Sequence, residues 1–114
     1  MFLSAYDIEC LQKAKTIIDK EISQHFSITE IAANSGIGST KLKKGFKQQY
    51  GAGLFAYLRK QRMEMAAMLL ISSDKSIKQI AKATGFHYTS NFNTAFTKYF
   101  KTSPARFRIF HRIK

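Results

Sequence analysis

Ser27-Ile28-Thr29-Glu30-Ile31-Ala32-Ala33-Asn34-Ser35-Gly36-Ile37 is written a second time, 49 positions later, as Ser76-Ile77-Lys78-Gln79-Ile80-Ala81-Lys82-Ala83-Thr84-Gly85-Phe86. Past the glycine the offset becomes 50: Leu42 matches Phe92, Phe46 matches Phe96 and Tyr50 matches Phe100. One residue has been added in the second turn, while the helix after it keeps its pattern. Ser27 with Glu30, and Ser76 with Gln79, have the spacing of a capping box opening a short helix. Gly36 and Gly85 then stand where the chain must turn left-handed, which glycine does at little steric cost. A second helix follows each glycine, roughly Ser39–Tyr50 and Tyr88–Phe100. In these the pairs Leu42/Phe46 and Phe92/Phe96 sit four residues apart and face a core. Each copy therefore reads as a helix-turn-helix, and a chain presenting one reading unit twice suits a ligand that repeats along its length, such as duplex DNA.

The rest of the chain also reads as helix. Ser4 with Asp7 is a start signal, after which Ile8, Leu11, Ile18 and Ile22 recur at helical spacing. One long helix over about 54–72 is expected between the units, with Leu54, Tyr57, Leu58, Met65, Met68 and Leu69 on its apolar side. Ser103-Pro104 reads as a cap followed by proline at the first helical position. The last helix, to about Arg112, is expected to turn Phe107 and Phe110 inward and Arg106, Arg108 and Arg112 outward. The expected fold is all-α: two three-helix, homeodomain-like helix-turn-helix subdomains over residues 1–53 and 73–114, joined by a linker helix over 54–72.

Composition agrees with one domain or two very small ones sharing an element. The 114 residues are 45% hydrophobic and include ten Phe, enough for a packed core. No apolar run approaches the ~18 residues of a membrane span, and no signal peptide opens the chain. The single cysteine, Cys10, excludes an internal disulfide and fits a reducing cytoplasm. The net charge of +12 is unevenly placed: residues 1–40 hold three Lys and five acids, whereas residues 41–114 hold sixteen Lys or Arg against Glu64 and Asp74. Such an excess favours a polyanionic partner, nucleic acid or an anionic membrane face, and charge alone does not choose between them.

Catalysis finds little support. The acid pairs Asp7/Glu9 and Asp19/Glu21 are two residues apart and point to different helix faces. His25, His87 and His111 are scattered and lack cysteine neighbours, so no metal spacing appears. Gly51-Ala52-Gly53 follows a helix and does not join a strand to a helix, so it is no phosphate loop. No catalytic residue, cofactor or metal is assigned.

Groove reading has residues to carry it. With Leu42 and Phe46 inward, Ser39, Thr40, Lys43, Lys44 and Lys47 lie on the outward side of the first recognition helix. With Phe92 and Phe96 inward, Thr89, Ser90, Asn93, Thr94 and Thr97 take the matching places in the second, with Lys98 its only cation. A major groove admits one such helix. Lys43 or Lys44 can donate to guanine O6/N7 and Asn93 can make the paired contact with adenine, each worth ~1–3 kcal/mol of discrimination. Lys41 and Lys47 suit phosphate or solvent. The first helix should supply affinity and the second selectivity.

These residues resemble the AraC/XylS family of bacterial transcription regulators, C-terminal DNA-binding domain. The second unit carries the most specific part: Ile80-Ala81, Gly85-Phe86, Phe92, Phe96, then Ser103-Pro104 with Phe107-Arg108. Arg62 to Leu70 resembles the family's Arg-x-x-x-Ala-x-x-Leu-Leu signature, and the likeness runs from about residue 8 to 108. It implies about seven helices and two recognition helices entering neighbouring major-groove segments ~34 Å apart. By position it places base reading on Thr40, Lys43, Lys44, Ser90, Asn93 and Thr94. Two departures stand out, Thr97 where lysine is usual and Lys101 in place of a common glycine.

Family members commonly carry a separate effector-sensing or dimerising domain, so the chain reads either as a stand-alone short member or, the favoured reading, as the C-terminal half of a longer protein. Promoter DNA is the implied partner, with RNA polymerase a further one, and no membrane. Lys41 to Lys47 with Tyr57-Leu58-Arg59 resembles the subgroup that activates siderophore-receptor genes. Two rivals remain: a fragment of a DNA-repair alkyltransferase, which needs a zinc-bound cysteine cluster that Cys10 alone cannot form, and a basic interaction module.

Overall fold

Each copy of the repeated segment folds, in a computed structural model describing residues 1–112, as a short helix, a tight turn and a longer helix. Seven helices make up the described residues, with no strand: α1 (Ala5–Lys20), α2 (Ile28–Ser35), α3 (Ser39–Tyr50), α4 (Leu54–Ser72), α5 (Ile77–Ala83), α6 (Thr89–Phe100) and α7 (Pro104–Arg112). The chain divides into two units, Met1–Arg59 and the residues from Lys60 onward, so the boundary falls within α4. The all-α, double helix-turn-helix expectation holds.

The local signals work as their chemistry requires. Ser4 and Asp7 satisfy each other's backbone N–H groups, both at 3.0 Å, and Ser76 and Gln79 do the same at 3.1 and 2.9 Å. Ser27 forms only half of the expected box. It accepts from the Glu30 N–H at 3.1 Å, but the Glu30 carboxylate accepts a hydrogen bond from the Ser27 hydroxyl at 2.9 Å and not from the Ser27 N–H. Gly36 and Gly85 adopt φ of 79° and 91°, the left-handed turns the repeat implied.

In the first unit Leu11, Ala14 and Ile18 of α1 are buried with Ile31 and Ala32, Leu42 and Phe46, and Leu54 and Leu58. In the second, Met63, Ala66 and Leu70 of α4 are buried with Ile80 and Ala81, Phe92 and Phe96, and Phe107. The repeated residues Ile31/Ile80, Ala32/Ala81, Leu42/Phe92 and Phe46/Phe96 are thus each buried in the core of their own unit. The pattern of α4 differs from the sequence expectation: Met68 is 56% exposed and Met65 half-buried, while Met63, Ala66 and Leu70 are sealed. One helix serves two cores here, so its buried positions do not form a single stripe.

The last helix also departs from expectation. Phe107 is buried, but Phe110 is 77% exposed. The inward side of α7 runs through Pro104, Phe107, Arg108 and Arg112, residues three, four and eight positions on, and Phe110 lies well round the helix from it. Arg108 and Arg112 do not reach outward. Arg108 donates to the carbonyls of Leu70 (3.0 Å) and Ser73 (3.1 Å), and Arg112 donates to Ile71 (3.1 Å) and Ser73 and pairs with Asp74 (3.2 Å). The last carbonyls of a helix have no partner within it, and here two guanidinium forks satisfy them.

Two outcomes test this account. Lys101 ends α6 at φ 64°, where its counterpart Gly51 ends α3 at φ 80°. A non-glycine residue pays ~1–2 kcal/mol there and glycine gives back part of that in chain entropy, so Lys101→Gly should gain up to about 1 kcal/mol in urea unfolding. No gain would mean the lysine's strain is relieved by contacts of its own.

Asp7 is 7% exposed. The Ser4 backbone N–H, against the opposing pull of burial and with help from the Ser4 hydroxyl and the Lys41 ammonium, holds its carboxyl below the usual carboxylate range. Its contribution to stability is complete above the ordinary value of about 4 and is lost as pH falls through the depressed one. Urea midpoints taken from pH 6 down to pH 3 should therefore fall more steeply for the wild type than for Asp7→Asn; parallel curves would refute the assignment.

Candidate nucleic-acid interface

Burying Leu42 and Phe46 fixes the roll of α3, and Thr40, Lys43, Lys44 and Lys47 consequently stand exposed on its other side, with Ser39 half-buried at its start. The same holds for α6. Phe92 and Phe96 are sealed, Ser90, Asn93, Thr94, Thr97 and Lys98 are exposed, and Thr89 is half-buried. Each set expected from the sequence is thus brought together on one face of its own helix. Gly45, buried in the middle of α3, has a packing reason: a Cβ there would meet Leu3 at 3.1 Å and Leu11 at 3.3 Å.

Two side chains behave in ways the sequence did not announce. Lys41 is an ion-pair partner of Asp7 at 3.3 Å, so its charge is partly engaged within the protein instead of standing ready for phosphate. Thr94 donates its hydroxyl to the Ser90 carbonyl one turn back at 3.0 Å, which leaves it an acceptor and a methyl group to present outward.

The sequence reading also passed over Lys78 and Lys82. They are exposed, four apart on α5, and with Ala81, Phe86, His87 and Thr89 they line a hollow of about 310 Å³ beside the start of α6. Their i,i+4 spacing was the available signal. The matching positions of α2 are Thr29 and Ala33, which carry no charge. Cations therefore sit on the recognition helix in the first unit and on the supporting helix in the second.

The starts of the two outward helices have a common feature. α1, α2 and α5 are each capped by a serine hydroxyl, whereas Gly38 before α3 and Tyr88 before α6 make no side-chain cap. In both cases a polar side chain of the same unit lies against the preceding turn: Tyr6 donates to the Gly36 carbonyl at 2.8 Å, and Arg62 lies over Gly85. Burial lowers the Arg62 guanidinium from its ordinary value. Among the described residues no three His, Cys, Asp or Glu side chains gather as metal ligands would, and no helix is long and apolar enough to cross a membrane.

A family profile described as a helix-turn-helix domain matches residues 31–109. Regulatory protein PocR of Salmonella typhimurium is 33% identical over 98 residues, 86% of this chain and 32% of that protein. Probable transcription factor PqrA of Proteus vulgaris is 38% identical over 86 residues, 75% of this chain and 70% of that protein. The chain thus spans about a third of PocR and most of PqrA. Among solved structures, the C-terminal domain of AraT, a response regulator from Geobacillus stearothermophilus, superposes with a TM-score of 0.87 at 30% identity, covering 100% of this chain and 92% of that one. The twice-written turn, its matching cores and these likenesses converge: the chain belongs to the AraC/XylS family of helix-turn-helix transcriptional regulators.

Proposed function

We propose that this chain is the part of a bacterial transcription regulator that binds promoter DNA sequence-specifically, with α3 and α6 each entering the major groove, in neighbouring segments. The observation that carries the reading is that two copies of one motif each bury their apolar pair and turn a polar, cation-bearing face to solvent. Binding is its task, without catalysis, and the bacterial cytoplasm is its place. In a longer protein, effector sensing falls to chain beyond this segment, and RNA polymerase is a further partner.

The division of labour follows the charges. In the first unit Lys43 and Lys44 are the base-reading candidates, with Thr40 beside them, while Ser39 and Lys47 suit the flanking phosphates. In the second, Lys78 and Lys82 grip phosphate from α5 together with Lys98, which leaves Ser90, Asn93 and Thr94 to read base edges, with Thr89 at the helix start. Phosphate contacts hold register and base contacts confer selectivity. An amide that pairs with adenine discriminates; an ammonium four residues along a supporting helix does not.

Selection from random duplexes supplies a cognate site, and binding is then compared on that site and on random duplex. Asn93→Ala should lose ~1–3 kcal/mol on the cognate site and little on random DNA. Lys44→Ala should also lose more on the cognate site. Equal losses on both duplexes would reassign these side chains to phosphate or to structure.

A second series reads salt. With ~6–10 phosphates neutralised, affinity should fall about 10³–10⁵-fold between 50 and 200 mM salt. Lys78→Ala and Lys82→Ala should weaken both duplexes alike and each flatten the salt slope by about one. Slopes unchanged in both variants would remove α5 from the interface.

A further inference from the structure

The two turn glycines are bare for a reason beyond their backbone angles. A Cβ placed on Gly85 would meet Arg62 at Nη2 (2.8 Å), Cζ (2.9 Å) and Nε (3.1 Å). Three guanidinium atoms at nearly equal distance mean that the group lies across the glycine and does not merely touch it with its tip. Real Cβ atoms do not approach so closely, so a residue larger than glycine must displace the guanidinium as well as adopt φ 91°.

The first unit sets a different polar side chain against its turn glycine. The buried series Leu11, Ala14, Ile18 of α1 matches Met63, Ala66, Leu70 of α4, so the residue just before each series, Cys10 or Arg62, holds the equivalent place over its turn. Cys10 is short, and its sulfur stays 3.7 Å from the position of a Gly36 Cβ. Tyr6, one helical turn earlier, covers the glycine instead, with its hydroxyl 2.9 Å from that position and donating to the Gly36 carbonyl at 2.8 Å. Both turn glycines thus meet a polar side chain of their own unit, but Gly85 is buried under the guanidinium whereas Gly36 stays exposed and meets only the tyrosine's hydroxyl end.

The consequence concerns aim. Gly36 lies three residues before α3 and Gly85 four before α6, and neither helix has a side-chain cap to pin its start. The turn is then what sets where the first turn of each recognition helix sits, and base contacts tolerate little displacement because their hydrogen bonds demand narrow distances and angles. We propose that Arg62, and Tyr6 in the first unit, are positioning residues for DNA recognition: each seats its turn glycine and so aims α6 or α3 at base edges without itself touching DNA. This rests on the DNA-reading function proposed above.

Two measurements test it, one of them free of DNA. Gly85→Ala should lower the thermal midpoint by several degrees in the wild-type background, and by clearly less in Arg62→Ala, where the guanidinium no longer occupies the space. An equal loss in both backgrounds would show that backbone strain alone acts at Gly85, and would overturn the clamp.

The second measurement is the ratio of affinities for the selected duplex and random duplex, taken well below the midpoint. A loss of folded protein scales both affinities alike and leaves the ratio untouched, whereas a mis-aimed helix lowers it. Arg62→Ala should reduce the ratio about fivefold or more, the discrimination of one weak base contact. Arg62→Lys should do the same with an unchanged salt slope on random duplex, because a flexible ammonium keeps the charge but not the plate. Tyr6→Phe, which removes only the hydroxyl, should lower the ratio to a smaller degree. A ratio unchanged in Arg62→Ala, or restored by Arg62→Lys, would make the residue structural or a phosphate contact and sink the proposal. If the wild type showed no preference among duplexes, the DNA reading itself would fail while the midpoint experiment still judged the clamp.

Discussion

Burial of two side chains four residues apart on each outward helix is the constraint on which the rest depends. Leu42 with Phe46, and Phe92 with Phe96, are sealed from solvent, and each pair meets an Ile-Ala step from the preceding short helix within one core. Truncating a buried Phe costs ~3–5 kcal/mol, a large part of the stability of so small a unit. That expense fixes the roll of the helix, and the roll decides which residues face a ligand. Aromatic neighbours hold the pairs in place: Phe46 packs on Tyr50 and Tyr57 with ring centroids 4.7 and 5.6 Å away, and Phe96 on Phe100 and Phe107 at 4.6 and 5.3 Å.

On this shared frame the two units distribute charge in opposite ways. Lysines crowd α3, whereas in the second unit they stand on α5 and leave α6 with hydroxyls, amides and Lys98. A single ammonium near a phosphate adds affinity on any sequence, while a well-placed amide discriminates, and the proposed division of labour rests on that difference. Not every cation has its donors free for DNA. Arg108 and Arg112 bond to carbonyls at the end of α4 and Lys41 pairs with Asp7, so fewer than the 19 Lys and Arg side chains of the sequence are free to bond phosphate directly.

The likeness to PocR and PqrA, reaching a third of one protein and 70% of the other, fits a module that serves in regulators of different length. Its information is local: each half carries its own core, its own turn and its own reading face.

Much of this was legible in the amino-acid order, because the signals are short-range. Serine caps, left-handed glycines and apolar pairs at helical spacing act within a few residues, so element order, the double motif and the outward sets on α3 and α6 could be read directly. Long-range pairings could not. Phe110 and Arg108 fit an amphipathic pattern equally well facing either way, and only packing shows the arginines turned in to the carbonyls at the end of α4 while Phe110 stays out. Met68 lost its place in the core because α4 serves two cores and cannot keep one stripe. The cover over Gly36 and Gly85 was invisible for the same reason. Spacing along the chain specifies which way a helix faces, but which distant side chain fills the space a missing Cβ leaves is settled only when the elements pack.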